Sequence, residues 1–264
     1  MKVPLFFWPL CKREIRALCA HRLLILGLVA SLGIGITIAT IVDSPEARLW
    51  VSYQIIYYMV PLLTLLVTIM IVRQDLREGP LLALLPGSST ARVTAKSLAA
   101  GGYLVLVLSL LFLPSVVAGM AAWQSWLSLA TGSVLLMVFF LCMGVWQGFR
   151  ARHEVRAYLG GLGWWIVFLF GSAALAYGAH VLLVPSVTPS LTLISLMANP
   201  LESFRLFVFF GLSTVPMNPH TGNPIALWWM SHSLLWLTVV VLLLGSFPLF
   251  HAGYQLRLRA HQGD

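Results

Sequence analysis

Residues 23–42 run for twenty positions without a charged side chain, and five more stretches of the 264-residue chain read the same way. They lie at 50–72, 97–119, 126–148, 158–184 and 225–248. A bilayer core of roughly 30 Å is crossed by a helix of about 20 apolar residues. The pattern predicts an all-α integral membrane protein with six transmembrane helices. Composition agrees, because 9% of residues are charged where a soluble domain carries about 25%.

The charge between the runs is sorted. Lys2, Lys12, Arg13, Arg16 and Arg22 precede the first run. Arg73, Arg77, Arg92 and Lys96 lie between the second and third. Arg150, Arg152 and Arg156 lie between the fourth and fifth, and Arg257 and Arg259 follow the sixth. Six crossings put all these patches on one side. Of the 16 basic residues only Arg48 and Arg205 fall on the other. Positive residues mark cytoplasmic loops, so both termini are expected in the cytoplasm. The net charge of +8 is explained by orientation and anionic headgroups, and nucleic acid is not an expected partner. Trp50, Trp123, Trp126, Trp228 and Trp229 fall near the predicted outer edge, as an aromatic belt would.

Residues 1–22 join aromatic and apolar positions, Phe6, Phe7, Trp8 and Leu10, to a basic stretch. They are expected to form an amphipathic helix in the cytoplasmic interface. Residues 23–264 form the six-helix domain. No cleavable leader is expected, since a full-length run follows the basic stretch. Cys11, Cys19 and Cys142 are not placed for an oxidised pair, and no Cys-x-x-Cys occurs.

In the first run Gly27, Ser31, Gly35 and Ala39 recur every four residues. One helix face is therefore small and open to close packing, either within the bundle or against a second subunit. The second run holds Tyr53, Gln54 and Tyr57. They either line a passage or sit at the outer interface, where Tyr is common.

The segment after the second run reads Arg73-Gln74-Asp75-Leu76-Arg77-Glu78-Gly79-Pro80-Leu81-Leu82-Ala83-Leu84-Leu85-Pro86. Alone it reads as a loop that fixes orientation. The whole order of elements, however, resembles the type-2 ABC exporter permeases: basic amphipathic helix, two spans, this loop, four more spans. Those permeases commonly carry Glu-x-Gly-Thr-Leu-x-x-Leu-Leu and then Pro here. The present stretch lacks the spacer before Gly79 and has Pro80 for Thr. The resemblance implies a homodimer driven by a separate cytoplasmic ABC ATPase, contacted through Arg73, Asp75, Arg77, Glu78 and Gly79. ATP and Mg would be bound on that subunit, with no cofactor on this chain, which has no phosphate-binding Gly-x-x-x-x-Gly-Lys-Ser/Thr loop. Glu154 sits in a second charged turn, either a further ATPase contact or a charge-balanced connection.

Before the last run, residues 185–224 hold six of the 14 prolines yet are apolar at 191–197 and 201–212. Short helices in or on the outer leaflet are expected rather than a seventh span. Asn199, Pro200 and Glu202 make a helix start of cap, first-turn Pro and acid at the positive end. Glu202 is placed to pair with Arg205 three residues on. The run Asn199-Pro200-x-x-x-Phe204-Arg205-Leu206 is similar to one in the permeases of the copper-processing system that matures nitrous-oxide reductase. That similarity implies a periplasmic β-helix partner and a role for Asn199, Pro200, Glu202, Phe204 and Arg205 as partner contact or gate. Met197, Met217 and His220 are soft ligands in type, but no Met-x-x-Met or His-x-His spacing accompanies them, and no metal site is assigned.

Other classes fit less well. A membrane protease needs a Ser with a base on another helix, and nothing links Ser213 to His180 or His232. Ser172 and His180 are two turns apart on one helix. The carboxylates all fall outside the predicted spans, Glu202 included, which argues against an ion-coupled carrier. The alternatives are a generic ABC-2 exporter of a lipid, drug or polysaccharide, or a membrane assembly protein that transports nothing.

Overall fold

The computed structural model describes residues 7–82, 89–118, 123–182, 188–211 and 224–262, and every ordered element in them is helical. The order is α1 (Phe7–Ala20), α2 (Arg22–Ile41), α3 (Pro45–Leu82), α4 (Ser89–Ala118), α5 (Trp123–Arg150), α6 (Glu154–Leu182), α7 (Thr188–Ala198), α8 (Pro200–Gly211), α9 (Pro224–Ser231) and α10 (Ser233–Gln262). Six helices are long and apolar enough to cross a membrane: Leu24–Ile41, Pro45–Gln74, Thr94–Ala118, Trp123–Arg150, Glu154–Leu182 and Ser233–Tyr254. The chain is thus an all-α, multi-pass membrane protein. Five of the six runs sit where the sequence places them. The sixth starts at Ser233 rather than 225, because the helix breaks at His232, whose N–H is shared between the Trp228 and Trp229 carbonyls.

The centre of the bundle is α5. Its core side chains, among them Leu129, Leu136, Phe139, Phe140 and Phe149, are nearly inaccessible. The helices α3, α8 and α10 pack around it. Between apolar helices in lipid there is no hydrophobic drive to associate, so close backbone approach carries the packing. Gly144 and Gly148 supply it on α5. A β-carbon there would lie 2.7 Å from Thr68 and Val72 of α3 respectively. The face of α2 with Gly27, Ser31 and Gly35 does the same against α4, where Tyr103 donates to the Leu24 carbonyl at 3.0 Å. Of the two readings of that small-residue face, packing within the bundle is the one realised. Exposed Leu242, Phe247 and Phe250 on α10 and Val167, Phe170 and Leu175 on α6 make an apolar exterior.

At one end of the bundle, α1 lies against α4. Glu14 on its inner face meets Lys96 Nζ at 3.4 Å and Arg13 at 2.9 Å. Lys96 is only 6% exposed, so this pair fixes α1 to the start of α4. Burial beside Glu14 also pushes the Cys11 thiol up from its ordinary pKa, which keeps it protonated and unreactive. The tryptophans expected in a belt divide: Trp123 and Trp228 are exposed, whereas Trp126 and Trp229 are buried. Trp126 is drawn inward by an edge-on contact with Phe112 at 5.8 Å.

Candidate functional site

Two regions at opposite ends of the bundle gather the polar residues singled out in the sequence. The first is built around a corner. The helices α7 and α8 meet at Asn199 with a bend of 92°. Together they are apolar and long enough for a further, broken span, or a re-entrant pair. The short helices expected before the last span are present, and α8 is buried among its neighbours. Its residues Leu201, Ser203 and Phe204 have no accessible surface, and it packs into α5 and α10. Glu202 stands in the first turn of α8, as the helix start predicts, but with only 4% exposure, enclosed in the bundle. The apolar face around it was visible in the sequence; its docking depth was not.

A corner among apolar helices is tolerated only when its freed backbone groups find partners. Here they do. Asn199 Oδ1 accepts from the Leu201 N–H at 3.0 Å, the expected cap. Its amide donates to the Phe168 carbonyl at 2.6 Å and to Ser172 Oγ at 3.2 Å. The Met197 carbonyl accepts from Trp236 Nε1 at 2.9 Å and from Ser203 Oγ at 3.0 Å. Asn199 thereby ties α8 to α6, and Trp236 ties α7 to α10.

Within one turn of the corner, Glu202 Oε2 meets Arg205 at 2.6 Å, the expected pair, and Tyr57 donates to Oε1 at 3.2 Å. Tyr53 stacks on Phe204 with ring centroids 6.0 Å apart. Of the three residues suggested for a passage, Tyr53 and Tyr57 are buried against α8, and Gln54 is exposed on the other side of α3. A single acid, held by one phenol and one guanidinium, thus joins α3 to α8. The Arg205 side chain is 41% accessible, so the pair opens to the surface on its cationic side. Met197 is buried at the corner as packing; Met217, His220 and Ser213 lie outside the described residues. Ser172 is engaged by Asn199 rather than by His180.

The second region is at the arginine-rich end. The segment after the second span is not a loop up to Leu82, because α3 continues helically through Arg73, Asp75, Arg77, Glu78 and Gly79. Arg73 turns inward. It donates to the Ala151 carbonyl at 2.9 Å and the Arg152 carbonyl at 3.2 Å, where a cation suits the end of α5. Arg77 forms an ion pair with Glu154. The two charged patches read separately in the sequence are therefore one, and Glu154 serves as the partner that orients Arg77. The side chains of Asp75 and Glu78, the surroundings of Gly79 and the segment 83–88 lie outside the described residues. A scan against protein-family models finds no match, and neither does a search of curated proteins.

Some of the network was out of reach of sequence reasoning. Ser172, Gln147 and the Glu14–Lys96 pair have no signature of their own, since each acquires its role from a partner on a different helix.

Proposed function

We propose that this chain is the membrane permease subunit of a type-2 ABC transporter, of the NosY kind, acting as a homodimer with a separate cytoplasmic ATPase. In that role it couples ATP hydrolysis to export of a copper-site precursor such as a sulfur species, or to motion of a periplasmic β-helix partner during nitrous-oxide reductase maturation. The observation that carries the reading is the clamp at the arginine-rich end. Arg73 and Arg77 join the continuation of α3 to the turn between α5 and α6. A push on the segment after the second span is thereby delivered to α5, the helix on which the bundle is packed. At its other end α5 bears α8: a β-carbon at Gly132 would sit 2.9 Å from Phe204 and Phe207. Displacement of α5 then bears on the corner and on the Glu202–Arg205 pair. Supporting it further are the six spans, the helix α1 docked on α4 and the sequence resemblance.

In this role Glu202, Arg205 and Tyr57 act as a latch between α3 and α8, and Asn199 and Pro200 set the angle at which α8 enters. The basic side faces the ATPase in the cytoplasm. The test is ATP hydrolysis by the reconstituted permease–ATPase complex carrying Arg77→Ala and Glu78→Ala together. Permease-dependent hydrolysis should fall by about tenfold, equivalent to ~1.4 kcal/mol of coupling, while the complex remains assembled. Undiminished hydrolysis in the assembled double variant would overturn the role given to this segment.

A further inference from the structure

At the arginine-rich end a groove of about 530 Å³ opens between α5 and α6, lined by Gln147, Arg150, Arg152, Arg156, Gly160 and Trp164. The clamp described above does not use these residues' side chains. Arg156, Gly160 and Trp164 lie four apart, on one face of α6, so the groove follows that helix for roughly 12 Å. Its two ends differ in chemistry. One carries three guanidinium groups. The other is walled by the Trp164 ring, which lies 5.8 Å from that of Trp146.

Among the described residues the charge at the first end has no acidic partner: no carboxylate pairs with Arg150, Arg152 or Arg156, and the nearby acid, Glu154, is engaged by Arg77. Arg150 is held in place by its guanidinium lying 5.0 Å from the centre of the Trp146 ring. Between the two ends sits Gln147, 7% exposed. Its amide N–H donates toward the Arg156 carbonyl at 3.5 Å, and its Oε1 is buried without a donor. Such an oxygen is costly unless a hydroxyl or N–H reaches it.

We infer that this groove binds an anionic phospholipid: the phosphate on the three arginines and acyl chain against Trp164, with Gln147 between them. The shared chemistry is an anionic phosphate group, which free phosphate also offers. A lipid is favoured because the site runs from guanidinium to indole along a membrane-spanning helix, and basic pockets between such helices suit anionic headgroups. A docking protein would need the charge but not the apolar extension.

The test is native mass spectrometry of the purified full chain, equilibrated in mixed micelles with equimolar phosphatidylglycerol and phosphatidylcholine. Phosphatidylglycerol should be retained preferentially. Arg150→Gln, Arg152→Gln and Arg156→Gln together should lower that preference by about tenfold or more, and the corresponding triple Lys variant should keep most of it. Arg156→Gln alone, an exposed site that leaves packing intact, should cost about fivefold. Unchanged retention in the single and triple Gln variants would overturn the site. Displacement of the lipid by millimolar inorganic phosphate would overturn the lipid assignment in favour of a soluble anion. Loss of a co-purifying protein with lipid retention unchanged would make the groove a protein-docking surface instead.

Discussion

Arg205→Ala destabilises the folded chain by about 3 kcal/mol, a fall of roughly 6–12 °C in Tm, and adding Glu202→Gln recovers most of that loss. The asymmetry follows from burial. Glu202 is almost wholly enclosed, and its oxygens have Arg205 at 2.6 Å and the Tyr57 hydroxyl at 3.2 Å. Taking away the cation leaves an enclosed carboxylate with one neutral donor, and an uncompensated buried charge is the costly half of a broken pair. Replacing the acid as well removes the charge that needed compensation. Glu202→Gln alone is milder, because Arg205 is part-exposed and can turn toward solvent. Thermal unfolding in detergent, followed by tryptophan fluorescence across the full double-mutant cycle, measures the coupling. Additive effects of the two substitutions would show that Glu202 and Arg205 do not act as a pair.

The second large effect is at Gly35. A β-carbon there would lie 2.6 Å from the Leu111 carbonyl oxygen and 2.9 Å from that of Leu110. These are backbone atoms of α4 and cannot turn aside as a side chain would. Gly35→Leu therefore has to push α2 off α4, at a cost of about 3 kcal/mol. Two residues earlier on the same helix, a β-carbon at Gly33 would meet nothing within 4 Å, and Gly33→Leu should change stability by no more than about 0.5 kcal/mol. Thermal unfolding of the two variants side by side makes the comparison. Equal stability would mean that α2 does not rest on α4 through this face.

The sequence made much of this architecture legible because a bilayer leaves few choices. Uninterrupted apolar runs, the sorting of Lys and Arg, and the cap formed by Asn199 are all local signals. The two arginines on the wrong side of the charge pattern are instructive. Arg48 donates to the Val42 carbonyl at 2.7 Å and the Ala118 carbonyl at 2.9 Å, at the ends of α2 and α4. Arg205 is paired with Glu202. Each exception to the topological rule is consumed by a structural partner, and only the fold reveals which. What stayed hidden depends on depth rather than composition. An apolar segment with prolines reads the same whether it lies on the leaflet or is driven into the bundle, and α8 takes the second course. Likewise Arg77 and Glu154 are separated by two spans in sequence, and only the return of α5 to the same end brings them together.

The most direct test of the permease assignment is purification of the tagged chain from its host in mild detergent, with mass spectrometry of the proteins that accompany it. An ATPase carrying a phosphate-binding loop, together with a periplasmic β-helix protein, is the expected result. An ATPase alone would keep the transporter but remove the link to copper-site assembly. A complex shown to be intact, with no ATPase in it, would contradict the assignment.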